Sequence, residues 1–309
     1  MKILFMGTGA FAEVSLKALI DAGRNVVAVV SQPNKPKNRG MKIIPTPVAV
    51  VADENNIDLY APKTLKDGAL LPVLEEKQPD LIVVVAYGKL LPKYVLEFPK
   101  YGCINIHGSL LPKYRGAAPI QWSIINGEKI TGVTSMYLAE GMDTGDMILK
   151  REMPIAPDDT YGTLHDKLAV LGGELLIETV ELIENGKVKA EKQDESLATY
   201  APMLSKSMGG IDWSKTAEEI VNQVRGMNPW PCAYSENKGK RFKVYSASVT
   251  PNCGTAGEVL LCDGQLIVAA GEGSVQISEL QPDNKKRMKT EDFLRGNKTF
   301  FTKGDILRG

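Results

Sequence analysis

Residues Asp80 to Ala86 read DLIVVVA, six apolar side chains in an unbroken row. A strand with one wet face alternates apolar and polar residues. A run without alternation fits a strand covered on both faces, which is the situation of a parallel sheet layered between helices. The N-terminal segment points the same way. Ile3 to Met6 is an apolar strand that runs into Gly7-Thr8-Gly9-Ala10-Phe11-Ala12. A helix follows, with Phe11, Val14, Leu16, Leu19 and Ile20 as its apolar face and Gly23 at its end. Val26 to Val30 is the next strand. Pro47 to Asn55, Lys66 to Lys77 and Leu90 to Phe98 read as helices, Ile57 to Tyr60 and Tyr101 to His107 as strands. Strands alternating with helices predict an α/β domain with a Rossmann-like open, mostly parallel sheet.

The Gly-x-Gly-x-x-Ala turn after the first strand is the dinucleotide fingerprint in loose form. A nicotinamide site needs an acidic residue after the second strand to hold the ribose. Ser31, Gln32 and Pro33 occupy that place. The fingerprint is incomplete, and a tight strand-to-helix turn built from small residues accounts for it.

Further on, Ala117 to Asn126 begins a helix. Strands at Thr131 to Leu138 and Met147 to Met153 flank a loop at Glu140 to Asp146. Asp158-Asp159-Thr160 caps a long helix from Tyr161 to Glu184, closed by Asn185-Gly186. His165 on that helix reads as a packing or surface residue. Gln193 to Thr199 looks extended. Leu204 to Gly210 is short, polar and Gly-ended, as linkers are. Ile211 opens a helix to about Gly226, with Ser214 as its expected N-cap. Short strands then recur at Ala233 to Ser235, Lys240 to Val249, Gly257 to Leu261, Gln265 to Ala269 and Ser274 to Leu280, separated by Gly, Asn and Asp. That spacing predicts a smaller C-terminal β-barrel of OB-like type. The expected organisation is a catalytic domain at 1–203, a linker at 204–210 and a barrel domain at 211–309.

The chemistry is concentrated between Cys103 and Gly145. Ile104 to Ile106 is a strand that stops at Gly108. Side chains two apart on a strand share a face, so Asn105 and His107 project together from the strand's carboxyl end. Open α/β sheets place their ligands there. Asp143 lies in the later loop, in Gly141-Met142-Asp143-Thr144-Gly145. An amide and an imidazole can donate to an oxygen that becomes negative while a carbonyl is attacked. A carboxylate can orient the imidazole and help move a proton. No Ser or Cys here has its own adjacent base, so direct transfer is more natural than a covalent intermediate. The structural alternatives are a strand-end capping pair at 105 and 107 and a simple turn residue at 143.

The whole constellation closely resembles the 10-formyltetrahydrofolate-dependent formyltransferases. It combines Asn105-x-His107, the loop Ser109-Leu110-Leu111-Pro112, the turn Tyr114-Arg115-Gly116-Ala117-Ala118-Pro119 and a distant Asp143, in that order. Within that family it is most similar to the branch acting on methionyl initiator tRNA. The likeness extends through Asn228-Pro229-Trp230-Pro231 and so covers essentially the whole chain. One departure is Gly9, where the family usually carries Pro.

The resemblance implies 10-formyltetrahydrofolate as co-substrate and the α-amino group of methionine on initiator tRNA as acceptor. Asn105 and His107 would stabilise the tetrahedral oxygen, with Asp143 supporting them. The resemblance also implies that Ser109, Leu110, Leu111 and Pro112, the segment Ala86-Tyr87-Gly88, and Glu140 and Met142 contact the folate. The Tyr87 and Met142 segments would read the pterin mainly through backbone. For Leu110 and Leu111 the alternative is ordinary core.

Residues 31 to 45 (SQPNKPKNRGMKIIP) form a long expected loop, in which Pro33, Pro36 and Pro45 discourage both helix and central strand. It carries Lys35, Lys37, Arg39 and Lys42 and no acid. Taken alone it reads as a solvated surface loop. The family resemblance implies that it contacts the acceptor end of the tRNA, with Arg39 foremost. Residues 285 to 289 (KKRMK) are the other basic run.

Total charge offers little help. The formal net charge of the 309 residues is zero, which argues against bulk electrostatic binding of nucleic acid. The four cysteines lack metal spacing and fit a reducing cytosol. No metal is expected. No apolar run approaches membrane-spanning length, and Lys2 onward reads directly as a strand, so a cytoplasmic protein without a leader, acting as a monomer, is expected. Three alternatives stand beside this reading. They are a formyltransferase with a sugar-nucleotide or glycinamide-ribotide acceptor, an oxidoreductase using the Gly7-Thr8-Gly9 turn, and a non-catalytic RNA-binding protein.

Overall fold

The computed structural model describes residues 1–37 and 42–309. It divides into two compact units. The first comprises 1–119, 130–154 and 165–201; the second comprises 120–129, 155–164 and 202–309.

In the first unit, β1 (Lys2–Gly7), α1 (Ala10–Asp21), β2 (Asn25–Val30), β3 (Lys35–Lys37), β4 (Lys42–Ile44), α2 (Pro47–Glu54) and β5 (Leu59–Tyr60) come first. Then follow α3 (Leu71–Lys77), β6 (Leu81–Val85), α4 (Lys93–Leu96) and β7 (Cys103–His107). Helix α5 (Pro119–Ile125), which falls in the second unit, precedes β8 (Ile130–Tyr137) and β9 (Met147–Pro154), and α6 spans Tyr161–Glu184, its first turn counted with the second unit. Seven strands form one sheet in the order β5-β2-β1-β6-β7-β8-β9. The pairings from β5 to β7 are parallel; β8 and β9 are antiparallel. Every residue of β6 is buried, as the apolar run required of a doubly covered strand. The strand order reverses at β1, with β2 on one side and β6 on the other. In open α/β sheets ligands bind outside the carboxyl ends of the strands at such a reversal, here those of β1 and β6.

Several local expectations are corrected. The 31–45 segment contains an antiparallel pair, Lys35–Lys37 with Lys42–Ile44, and is not wholly loop. Pro36 is tolerated because an isolated pair consists of two edges. Helix α3 starts at Leu71, since Asp67 and Gly68 take left-handed φ of +56° and +72° and interrupt the turn. Helix α4 is confined to Lys93–Leu96, between Pro92 and Pro99.

The second unit contains α7 (Ala217–Gly226), β10 (Ala233–Asn237), β11 (Lys240–Thr250), β12 (Val259–Leu261), β13 (Leu266–Ala269), β14 (Ser274–Pro282), β15 (Met288–Lys289) and α8 (Thr290–Gly296). The strands form one antiparallel sheet, β10-β11-β14-β13-β12, with β15 also on β14. A register shift near Ser246 bends the β11–β14 pair. Residues Ile306 to Arg308 bridge both to Glu236 on edge strand β10 and to Glu258 beside β12. The two free edges are thereby tied through one segment, giving the barrel-like curl. Phe242, Phe293 and Phe301 pack edge to face in its core.

The cap of α7 differs from expectation. Ser214 sits in a turn on Asp212, whose Oδ1 accepts from the Ser214 backbone and hydroxyl. Thr216 is the cap. Its Oγ1 accepts from Glu219 N at 3.2 Å, and Glu219 Oε2 accepts from Thr216 N at 2.9 Å. This reciprocal box satisfies two helix-end donors at once, which a lone Ser214 does not. Thr216→Ala is expected to cost about 1 kcal/mol, read as a lowered urea midpoint at unchanged slope.

Candidate active site

Strand β7 lies between parallel β6 and antiparallel β8, and it presents Asn105 and His107 on one face. His107 is only 5% exposed. Its Nε2 lies 2.9 Å from the Tyr114 carbonyl. A carbonyl only accepts, so Nε2 carries the proton of the neutral ring. Nδ1 is then the unprotonated nitrogen, and it faces Asp143 Oδ2 at 3.7 Å. Asn105 is half-buried, two residues back along the strand.

Asp143 belongs to the loop between β8 and β9. Its φ is +53°, the left-handed region. Its Oδ2 accepts from Gly116 N at 2.8 Å. The Tyr114–Ala118 turn therefore touches both catalytic candidates, holding the imidazole by a carbonyl and the carboxylate by an amide. A second segment braces that turn. Arg115 N donates to Thr199 O at 2.8 Å, Ala201 N to Arg115 O at 2.7 Å, and Tyr114 N to Thr199 Oγ1 at 2.9 Å.

The expected folate contacts fall into three groups. Ala86, Gly88, Glu140 and Met142 are exposed. Ser109, Leu111 and Tyr87 are buried. The Ser109 hydroxyl donates to Lys113 O, and the Ser109 carbonyl accepts from Thr134 Oγ1, both at 2.7 Å. Leu111 packs with Met136 and Met147 in a small core cluster. Tyr87 joins the core on one side of the sheet, and its hydroxyl is buried without a partner among the described residues. Burial pushes the Tyr87 phenol up to about 12. Leu110 and Pro112 are half-buried. Lys35, Lys37 and Lys42 lie on the β3–β4 pair, and Arg39 lies outside the described residues. His165 packs against the Phe11 ring, centroids 5.6 Å apart.

A formyl transferase family profile matches residues 1–180, and a formyl transferase C-terminal domain profile matches 203–298. The chain belongs to the formyltransferase family. It is 48% identical over 298 residues to methionyl-tRNA formyltransferase from Geobacter metallireducens, covering 96% of each chain. The corresponding protein of Acetivibrio thermocellus is 50% identical over 312 residues, covering 99% of each. Among solved structures, the N-formyltransferase from Helicobacter canadensis, in complex with folinic acid and dTDP-3-aminofucose, shares the fold. Its TM-score is 0.70 at 22% identity, covering 91% of this chain and 99% of that one.

In this formyltransferase the Gly7-Thr8-Gly9 turn is a structural joint. A Cβ at Gly7 would lie 2.6 Å from the Ala12 Cβ and 2.9 Å from Val85 O, so the glycine lets α1 approach the sheet. At Gly9 a Cβ would meet nothing within 4 Å, so the departure from the family's usual Pro costs no packing. Gln32, where a dinucleotide site would carry an acid, donates from Nε2 to Tyr87 O at 2.7 Å and links the ends of β2 and β6. Among the described residues no three His, Cys, Asp or Glu side chains gather to hold a metal, and no helix is long and apolar enough to cross a membrane.

Sequence reading passed over Gln193, whose Nε2 donates to the carbonyls of Asp143 and Gly145 at 2.7 and 2.8 Å. Arg115 entered only as part of the Tyr114–Pro119 turn. The burial of Arg115, 1% exposed, marks it as something else.

Proposed function

We propose that this chain transfers the formyl group of 10-formyltetrahydrofolate to the α-amino group of methionyl initiator tRNA, and that Asn105, His107 and Asp143 carry the reaction. One observation carries the choice of acceptor. Identity of 48 to 50% with methionyl-tRNA formyltransferases runs over nearly the whole of both chains, the second unit included.

The exposed strand-end residues Ala86, Gly88, Glu140 and Met142 fit a flat heterocycle read by backbone donors and acceptors beside His107. The donor supplies an activated one-carbon acyl group. As the neutral amine adds to the formyl carbon, negative charge gathers on the formyl oxygen. Asn105 donates to that oxygen, and His107 does so from Nδ1 once that nitrogen carries a proton. Asp143, 3.7 Å from Nδ1, balances a proton on the ring and helps take one from the attacking nitrogen. The carbon–nitrogen bond to the folate then breaks, and the folate nitrogen leaves with a proton. Holding both partners in one cleft contributes the rest by orientation.

On this reading Lys35, Lys37, Arg39 and Lys42 meet the acceptor end of the tRNA, residues 211–309 bind its body, and the enzyme works in the cytoplasm as a monomer. The test is transfer of labelled formyl to methionyl initiator tRNA, with the elongator form and small amines as controls. Strong labelling of the initiator form alone is expected. Equal labelling of a sugar-nucleotide amine overturns the acceptor assignment. Arg39→Ala should raise KM for tRNA about tenfold and leave folate binding unchanged. Equal loss of both removes the loop's role.

A further inference from the structure

We infer that Gln193, clamped by Arg115 and Glu195, is a positioning residue that sets the Asp143 carboxylate against His107. The inference rests on the proposed catalytic role of Asp143.

Asp143 needs such a clamp. A non-glycine residue at φ +53° is strained, and such a conformation persists only where its surroundings over-determine it. The loop is flanked by Gly141 and Gly145, and Met142 beside it is exposed. Two groups fix it. Gly116 N holds the carboxylate at 2.8 Å. The Gln193 amide spends both its N–H groups on the loop backbone, one on Asp143 O and one on Gly145 O.

The orientation of that amide is dictated by Arg115. Its guanidinium only donates, and both Nε and Nη2 point at Gln193 Oε1, at 3.0 and 2.8 Å. The nitrogen of the amide must therefore face the loop. Glu195 completes the fork, accepting from Nη1 at 2.8 Å and Nη2 at 2.7 Å. Arg115 is 1% exposed, whereas the Glu195 side chain is 69% exposed. The guanidinium holds the Glu195 carboxyl below its ordinary range. Burying a guanidinium is costly unless it is fully paired. Here the buried charge lies two hydrogen bonds from the Asp143 backbone. Arg115 thus reaches Asp143 twice: its side chain acts through Gln193 on the carbonyl, and the next amide along the chain holds the carboxylate.

The geometry at stake is the 3.7 Å gap between Asp143 Oδ2 and His107 Nδ1. Misplacement of a catalytic group by 1 Å can cost about 100-fold. Gln193→Glu is the informative variant. It keeps the size of the side chain and the pairing of Arg115, but a carboxylate has no N–H to give the two carbonyls. Gln193→Leu removes both ends of the contact, and Arg115→Lys loses the fork.

The experiment measures kcat and both KM values for Gln193→Glu, Asp143→Ala and the double variant, with thermal unfolding of each. Gln193→Glu should lower kcat about 10- to 100-fold and leave each KM within about twofold. In the Asp143→Ala background it should change kcat by no more than about twofold, because the group it positions is gone. Wild-type kcat in Gln193→Glu, or the same fold loss in both backgrounds, overturns the inference and leaves the catalytic assignment standing. Full turnover in Asp143→Ala removes the catalytic assignment, and the inference falls with it. Should Gln193→Leu not fold, Gln193→Glu still decides, since its buried arginine remains paired.

Discussion

Asp143→Asn is expected to lower turnover about 10²- to 10⁴-fold while the thermal midpoint moves by only a few degrees. The substitution preserves shape, and an amide oxygen can still accept from Gly116 N, now at 2.8 Å from Oδ2. What disappears is the negative charge 3.7 Å from His107 Nδ1. That charge matters only while a proton moves and the formyl oxygen is charged, so kcat falls and the KM values stay. His107→Ala should cut turnover by a similar factor. It also removes a buried ring and its hydrogen bond to the Tyr114 carbonyl. That adds roughly 1–3 kcal/mol of destabilisation, so Asp143→Asn is the cleaner variant. The two losses should not add, because in the proposed mechanism both groups serve one proton and one oxygen. Steady-state turnover with methionyl initiator tRNA checks both. Full activity in Asp143→Asn would remove the carboxylate from the mechanism.

What the sequence disclosed is what local pattern can encode. Two-residue periodicity put Asn105 and His107 on one face of β7, and the unbroken apolar row of 81–85 announced a buried strand. The fragments of the C-terminal sheet were legible for the same reason. Its closure through Ile306–Arg308 was not, since pairing with Glu236 and Glu258 joins positions far apart in the chain. The β3–β4 pair was hidden behind prolines that argue against strands only where both edges must bond. Ser214 and Thr216 are both capping residue types, and the partner at Glu219 decides between them. Gln193 gave the weakest signal of all. It is neutral, lies fifty positions from Asp143 and sits in an irregular segment, so neither period nor charge betrays it. The retrievable hint was Arg115, a charged residue inside an otherwise small and apolar turn whose burial would demand partners somewhere downstream.

Gly116→Ala should cost roughly 2–4 kcal/mol and reduce turnover of the folded protein at least tenfold. Gly116 has φ +120°, a region L side chains rarely adopt. A Cβ there would stand 2.8 Å from Ala201 O. That carbonyl cannot simply retreat. It accepts from Ala118 N at 3.1 Å, and Ala201 N donates to Arg115 O at 2.7 Å, so the braced segment is pinned on both sides of the contact. Relief must come from the turn itself, and the turn carries the amide that holds Asp143 and the carbonyl that holds His107. A methyl group that touches neither His107 nor Asp143 would thus disturb both. Gly9→Ala supplies the control, since its Cβ would meet nothing within 4 Å; Gly9 is the N-cap of α1, where Ala is the poorer residue, so the change should cost no more than about 1 kcal/mol. Urea unfolding and turnover measured on the same samples separate the two effects. If Gly116→Ala were as stable and active as Gly9→Ala, the turn could not be the rigid frame on which imidazole and carboxylate are jointly set.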